Sequence, residues 1–404
     1  MPSLRFLQFS DLHLDGSLSG SRLGLPPAKR DDVRRGVEAA LDRAVRLAVD
    51  REVDVVFCPG DLWDDESVSL AAATRLYDAF ASLAPVPVLV APGNHDPWHA
   101  LSYHHRAFFA RKVGRPHPAN VHVFTPGGVC HMPVPGLGDV AFHGVSFEGN
   151  VPRTHRVLAG AAPVRPDAVS VLLLHGSRDD VVPPGDAMRP VTAPFTAAEL
   201  LATGFDYVAL GHYHSHSTIA DSAGRVRAAY AGCVAARGLD ETGPHGVLVG
   251  EIDRGGVVPG TLELVSVEPR RVVRLRVEVD SSVTHAAALQ ARVGAAMTEA
   301  GAGRDDIVYV ELTGRTHPDA PQPTVDPAWA DSAAFHIELD HRRLEPDYDM
   351  DALPSERLEG AFARRMTDLI RDETDEAARD RLRHALYLGL DALHDREVRP
   401  RRAY

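Results

Sequence analysis

The feature that most constrains this chain is a repeated step along its first 215 residues. A short apolar run, strand-like in length, ends in aspartate, asparagine or histidine, and a helical pattern follows. The apolar runs are Leu4–Phe9, Val53–Cys58, Val86–Ala91, Val169–Leu174 and Asp206–Leu210. Between them, Asp31–Asp50 places Val33, Val37, Leu41, Ala44 and Ala48 on one helical face, and Ser67–Leu83 is helical again. A further helix is marked by Thr196 and Glu199 at capping-box spacing and by Gly204 at its end. Strands Ala228–Gly232 and Val247–Asp253 complete the series. Strands alternating with helices predict a layered α/β domain.

The rhythm changes near Val265–Arg271. Val273, Leu275, Val277 and Val279 alternate with Arg274, Arg276 and Glu278, the pattern of a half-exposed strand. A helix over Thr284–Ala300, strands Ile307–Leu312 and Phe335–Leu339, and a Pro-rich loop His317–Pro327 predict a small α+β module. The end of the chain reads as two helices. Leu358, Phe362, Met366 and Leu369 stripe one, and Leu382, Leu386, Leu390 and Leu393 the other. The expected domains are 1–267, 268–345 and 346–404.

Five clusters close the predicted strands: Asp11-Leu12-His13, Gly60-Asp61-Leu62-Trp63-Asp64, Gly93-Asn94-His95-Asp96, His175-Gly176 and Gly211-His212-Tyr213-His214. Each alone is weak, since a lone histidine after a strand, such as His143, is more often structural. Together they are specific, because ligands of open α/β sheets gather at the carboxyl ends of strands. Their mixed oxygen and nitrogen donors suit Mn, Fe or Zn. The glycines before three of them permit tight turns and close backbone approach.

These clusters, in this order and spacing, resemble the calcineurin-like metallophosphoesterase superfamily. The Gly-Asp-Leu-Trp-Asp and Gly-Asn-His-Asp forms are similar to its SbcD-type DNA-repair exonuclease branch. The resemblance implies a four-layer αββα sandwich with a small C-terminal α+β capping module and a helical tail. It implies two divalent metal ions, Mn²⁺ first, with Fe²⁺, Mg²⁺ or Zn²⁺ as alternatives. Asp11, His13, Asp61 and His214 would hold one ion, and Asp61, Asn94, His175 and His212 the other, with Asp61 shared. A shared carboxylate suits two cations about 3.5–4 Å apart that clamp an in-line displacement, with a metal-bound hydroxide as nucleophile. His95 would stabilise the transition state or protonate the leaving oxygen. Asp64 would orient it, as a carboxylate at this spot does in related phosphatases, although some relatives of the nuclease branch carry histidine there.

Other residues take plainer readings. Asp96 stabilises its turn, His216 is a surface histidine before it is one that supports a ligand from behind, and His104 and His105 pack with Phe108 and Phe109. Trp63 and Trp98 are core residues before they are cleft walls or base-stacking groups. The acidic run Asp372–Asp380 is a solvated helical face. Cys58, Cys130 and Cys233 are three unclustered thiols, read as reduced and free. No apolar run is long enough to span a bilayer and the N-terminus lacks a signal-peptide pattern, so no membrane role and a cytoplasmic location are expected.

Three functions compete. The first is a DNA exonuclease or endonuclease, for which the resemblance implies that the tail (Ser355–His394) docks an SbcC-type ABC ATPase and the cap (Val272–Asp340) helps select DNA. The second is a phosphodiesterase or phosphatase for a small molecule, which the net charge of −13 suits. The third is a non-catalytic metal-binding scaffold, against which the full ligand set argues. Only Lys29 and Lys112 are lysines, so any contact with phosphate falls to arginine. Strand polarity and a homodimer are left open.

Overall fold

A computed structural model of the chain describes residues 3–16, 25–149, 151, 154–183, 186–239, 241–354 and 356–394. Ser355 and residues 395–404 of the predicted tail, and residues 1–2, 17–24 and the few remaining positions, lie outside the described residues. The chain divides into two compact units, Met1–Arg271 and Val272–Tyr404.

In chain order the first unit runs β1 (Leu4–Gln8), α1 (Pro27–Asp50), β2 (Val55–Cys58), α2 (Leu70–Ala81), β3 (Val88–Val90), α3 (Arg106–Val113), β4 (Val121–Val123), β5 (Val129–Met132), β6 (Val140–Val145), β7 (Val169–His175), α4 (Ala197–Ala202), β8 (Tyr207–Gly211), β9 (Ser217–Ala220), β10 (Val226–Tyr230), β11 (Val247–Asp253), β12 (Gly256–Val257) and β13 (Glu263–Val265). One sheet has the order β12-β11-β1-β2-β3-β4, with β13 also on β11, and the other β5-β6-β7-β8-β10-β9. β1 to β4 are mutually parallel, as are β6, β7, β8 and β10. The carboxyl ends within each parallel set therefore share one edge.

The two-residue period of a strand sorts these side chains into layers. Leu4, Phe6, Val55, Phe57 and Leu89 of the first sheet meet Phe142, Val171, Leu173, Tyr207 and Ala209 of the second in one buried cluster. Their neighbours Leu7, Val56, Cys58, Val88 and Val90 face outward onto α1, α2 and Phe109 of α3. Leu172, Leu174, Val208, Leu210 and Tyr230 pack on Leu200 of α4 and on Phe205. The result is helix, sheet, sheet, helix, a four-layer α/β sandwich. Gln8 links the sheets through the middle: its amide donates to Leu210 O (3.2 Å) and Ala229 O (2.8 Å), and it accepts from the Tyr207 hydroxyl (2.6 Å).

Helix ends follow local chemistry. Pro27 opens α1, whose buried Val33, Val37, Ala40, Leu41, Ala44 and Ala48 recur every three or four residues. Ser69 caps α2 by accepting from Ala72 N, and the Thr196–Glu199 capping box opens α4. Strands β4, β5 and β9 escaped the sequence pattern because they are short and mostly only partly buried, whereas β6, six residues and almost wholly buried, was also not predicted.

The second unit begins with β14 (Val272–Val279), α5 (Ala286–Glu299), β15 (Ile307–Thr316), α6 (Pro327–Ala333) and β16 (His336–Pro346). The three strands are parallel in the order β14-β15-β16. Leu275, Val277, Val308, Val310 and Leu312 pack on Leu289, Val293 and Met297 of α5 and on Trp329 of α6. Two helices follow, α7 (Leu358–Asp372) and α8 (Glu376–Leu393), joined around Phe362, Met366, Leu386 and Leu390. Two expectations need correction here. Leu358 and Leu369 of the predicted stripe are exposed, and Ile370 packs in the cluster instead. The acidic run is not one helical face, since it contains the break at which Asp375 caps α8 through Ala378 N. No helix among the described residues is long and apolar enough to cross a membrane.

Leu173 is fully buried between the sheets, whereas Val49 is 60% exposed on α1. Leu173→Ala is expected to destabilise the first unit by about 2–5 kcal/mol, and Val49→Ala by less than about 0.5 kcal/mol. Denaturant unfolding of the two variants, compared at constant slope, checks this; equal midpoints would contradict an inter-sheet core centred on Leu173.

Candidate metal centre

The loops after β1, β2, β3 and β8, together with the last residue of β7, carry all nine side chains singled out from the sequence, and they hold an unusual backbone. Asp11, His13, Asp61 and His212 all have positive φ, at 52°, 45°, 55° and 105°. A left-handed conformation costs a non-glycine residue of order 1–3 kcal/mol and persists only where the surroundings over-determine it. Here hydrogen bonds between loops do so. Asp11 N donates to Gly60 O, His13 N to Asp61 O and Asp65 N to His95 O, at 3.1, 3.1 and 2.8 Å. Two glycines are obligatory for clearance: a Cβ on Gly93 would lie 2.3 Å from Asp61 Oδ1, and one on Gly211 would lie 2.0 Å from Pro59 O.

The side chains form two adjoining groups. Asp11, His13 and His214 offer ligand atoms that lie within 4.8 Å of one another, and so do Asp61, His175 and His212. All six are buried. Asn94 joins the second group, its Oδ1 3.1 Å from His175 Nε2. Asp61 stands between the two: its Oδ2 is 3.2 Å from His175 Nε2 and 3.9 Å from His13 Nε2. Its Oδ1 accepts from His95 N at 2.9 Å.

Each of the four inward histidines is oriented from behind. His13 Nδ1 meets Asp64 Oδ1 at 2.7 Å and His214 Nδ1 meets Glu241 Oε1 at 2.5 Å. His175 Nδ1 donates to Pro59 O at 2.9 Å and His212 Nε2 to Pro190 O at 3.0 Å. A ring fixed at one nitrogen presents the other as a lone pair, the arrangement that orients histidine ligands of metals. His13 Nε2 is buried with no hydrogen-bond partner, as expected of an atom meant for an ion. Oxygen donors from aspartate and asparagine beside imidazole nitrogens fit first-row divalent cations. The residues present therefore fit a pair of such ions. The histidine–carboxylate contacts of Asp64 and Glu241 are direct hydrogen bonds, which leave no room for a further ion between the partners.

The charges of the metal-free centre agree. Burial pushes the Asp11 carboxyl up to about 6, with Asp61 adding and His175 opposing. Burial also disfavours ionised Asp61, but His175, His13 and His95 outweigh it and hold that carboxyl well below its usual range. Reciprocally, Asp61 and Asp11 overcome burial at His175 and raise it to about 9. Burial lowers His212 and His214 to about 3, so both imidazoles are neutral and ready to ligate. A protonated His175 thus sits where a cation would.

His95 differs from the rest. It is exposed, and its Nδ1 lies 3.1 Å from Asp64 Oδ1, the oxygen that also serves His13. The Asp64 hydrogen bond raises the His95 pKa, while the two histidines hold Asp64 well below the usual carboxylate range against its burial. An imidazole at the rim whose protonated form is favoured by Asp64 is suited to proton donation.

Several important residues left no mark on the sequence pattern. Glu241 is buried and held between Arg189 and Arg237, each 3.6 Å away. Asp186 is also buried and fixes the loop after β8 by accepting from His214 N (2.9 Å) and Ser215 N (3.2 Å). Both lie in irregular loops far from any motif, and only their burial reveals them. Asp96 does more than steady its own turn, because it accepts from Asp61 N, Leu62 N and Gly93 N. His104 is not merely packed: it bonds Asp96 and the Tyr77 hydroxyl. His105 caps α3. His216 is half-buried and bonded to Tyr230 O rather than free at the surface. Trp63 is fully buried against His104, which removes it as a base-stacking group, and Trp98 is half-buried. Cys58 and Cys233 are buried free thiols and Cys130 is partly buried.

Comparison with known proteins falls on the same residues. The family model for calcineurin-like phosphoesterases matches residues 4–216. The uncharacterized metallophosphoesterase YhaO of Bacillus subtilis (strain 168) is 27% identical over 275 residues, 64% of this chain and 59% of that protein. The SbcD component of the SbcCD nuclease, from the same organism, is 26% identical over 275 residues, 59% of this chain and 64% of that protein. The chain thus spans about three fifths of the length of these curated relatives. A dimetal phosphatase from Danio rerio aligns with 65% of this chain and 100% of its own, at 14% identity and a TM-score of 0.36. Matched from the start of β1 to beyond the histidine pair that follows β8, over more than half its length, the chain belongs to the calcineurin-like phosphoesterase family.

Proposed function

We propose that this protein is a two-metal phosphodiester hydrolase acting on DNA. The observation that carries the two-metal reading is the position of Asp61 Oδ2, which faces His175 Nε2 of one ligand group and His13 Nε2 of the other. In this reading Asp11, His13, Asp61 and His214 hold one cation, and Asp61, Asn94, His175 and His212 the second. Two divalent cations supply charge neutralisation for phosphate oxygens and acidify a water molecule. Mn²⁺ is the first choice for this donor set, with Fe²⁺, Mg²⁺ and Zn²⁺ as competitors.

The chain's own groups do the rest. Asp64 holds His95 by Nδ1 and favours its protonated form, so that Nε2 can give a proton to the leaving oxygen. Glu241, Asp64, Pro59 O and Pro190 O keep the ligand rings from turning. DNA as substrate draws support from the similarity to the SbcD component of a nuclease. On the same footing, Val272–Asp340 is assigned as a cap that helps select DNA, and the helices from position 355 to His394 as a docking tail for an SbcC-type ATPase. A small-molecule phosphodiester is the second reading, favoured by the net charge of −13.

Three outcomes are expected. With Mn²⁺, the metal-loaded protein should degrade single- or double-stranded DNA; brisk hydrolysis of bis(p-nitrophenyl) phosphate with intact DNA would move the assignment to the second reading. His95→Asn should lower kcat by roughly 10²–10⁴-fold while cation content by elemental analysis stays unchanged. Undiminished turnover in that variant would exclude catalysis at this centre and leave the scaffold reading. Finally, a cation at the Asp61–His175 group must displace the His175 proton, whose pKa is raised to about 9. Cation affinity should therefore climb about tenfold per pH unit between pH 6.5 and 8.5, flattening above the His175 pKa. A flat profile in calorimetric titration contradicts that protonation state.

A further inference from the structure

Behind the centre lies a buried polar chain that the proposed chemistry does not use. The Asp96 carboxylate is fully buried, and its described hydrogen bonds include one side chain, the imidazole of His104. Four donors fill it. Oδ1 accepts from Asp61 N at 2.9 Å and Gly93 N at 2.7 Å, and Oδ2 from Leu62 N at 2.9 Å and His104 Nε2 at 3.1 Å. Three of these donors are backbone groups of the loops after β2 and β3. The fourth is the only side chain among them.

The direction of each proton follows from the acceptors. A carboxylate can only accept, so His104 donates from Nε2. In the neutral imidazole Nδ1 then carries the lone pair that accepts a hydrogen bond from the Tyr77 hydroxyl, at 2.9 Å. Tyr77 is fully buried on α2, and burial holds its hydroxyl in the protonated, donating form. His104 is equally buried and is stacked on Trp63 with ring centroids 4.2 Å apart and planes at 26°. The imidazole is thus fixed in position, tautomer and tilt by three separate contacts.

We propose that His104 and Tyr77 are positioning residues of the metal centre. They hold the Asp96 carboxylate in the one orientation that ties the left-handed loop of Asp61 to the loop of Asn94 and His95. The proposal rests on the reading of Asp61 and Asn94 as ligands. Without His104, Asp96 Oδ2 keeps only Leu62 N in a dry site, and the carboxylate is held less firmly toward Asp61 N and Gly93 N. Asp61 Oδ2 and Asn94 Oδ1 would then no longer be held at a common point, and the cation they share with His175 would bind more weakly.

The test is calorimetric titration of Mn²⁺ into metal-stripped full-length protein. Wild type should take up two cations. His104→Ala should weaken the site that Asp61 shares with Asn94 by roughly tenfold or more, the scale typical of groups that orient ligands. His104→Gln, which keeps an N–H for Asp96, should recover part of the loss. Tyr77→Phe should weaken binding by a smaller factor, since only the tautomer is released. Phe109→Leu, against the same Tyr77 ring, should lower the melting temperature without changing Mn²⁺ affinity. Affinities within about twofold of wild type in folded His104→Ala overturn the proposal, because outer-shell groups act on a larger scale. Should that variant not fold, Tyr77→Phe decides: a Mn²⁺ affinity within about twofold of wild type in that variant overturns the proposal. A wild-type chain that takes up no Mn²⁺ would instead defeat the two-metal reading, and this proposal with it.

Discussion

The interaction on which the rest of the first unit depends is the contact of one buried carboxylate, Asp61, with histidines from two other loops. An ionised carboxylate in a dry interior is costly unless it is paired or bound. The fold meets this cost chiefly with His175, 3.2 Å from Oδ2, and with the His95 N–H that Oδ1 accepts at 2.9 Å, while His13 Nε2 faces the same Oδ2 from 3.9 Å. Everything nearby serves to hold that oxygen still. The parallel strands deliver the loops to one edge, and left-handed residues turn them inward. Hydrogen bonds between loops then lock the turns. The strain stored at Asp11, His13, Asp61 and His212 is tolerable because the two-sheet core beneath is large and largely apolar, with Gln8 as its hydrogen-bonded polar member.

Much of this was legible in the sequence, for a physical reason. Continuous apolar runs betray strands buried on both faces, and Asp, Asn or His directly after such a run must sit at a strand tip. The positions of Asp11, His13, Asp61, Asn94, His175, His212 and His214 follow from that rule, as do the helices with clear 3.6-residue stripes, α1 and α2. What stayed hidden depends on burial created by the fold itself. Glu241 and Asp186 occupy loops without periodicity, and nothing local distinguishes them from surface acids. His104 sits among aromatic residues, which favours a packing reading, yet its two ring nitrogens are both engaged. The α7 stripe held at Phe362 and Met366 and failed at its ends: Leu358 and Leu369 match the period but are exposed, and Ile370 packs in the cluster instead.

Charge is distributed with comparable economy. The chain as a whole is acidic, yet the centre is lined by histidines whose protonation differs with position. His212 and His214 are kept neutral by burial, whereas His175 is kept charged by Asp61. His95 stands apart because Asp64 reaches it at the rim. One residue type therefore fills three roles, and the neighbours, not the side chain, assign them.

The parallel sheet order has a consequence for how such a centre can come into being. Its members span from Asp11 to Glu241, and each is brought in by strands paired across long stretches of chain. Closing loops of that length is entropically slow, and no local segment contains more than two or three of the groups. The centre therefore has no local precursor: a nascent or clipped chain that stops short of β8 lacks His212 and His214, and with them one donor from each of the two groups.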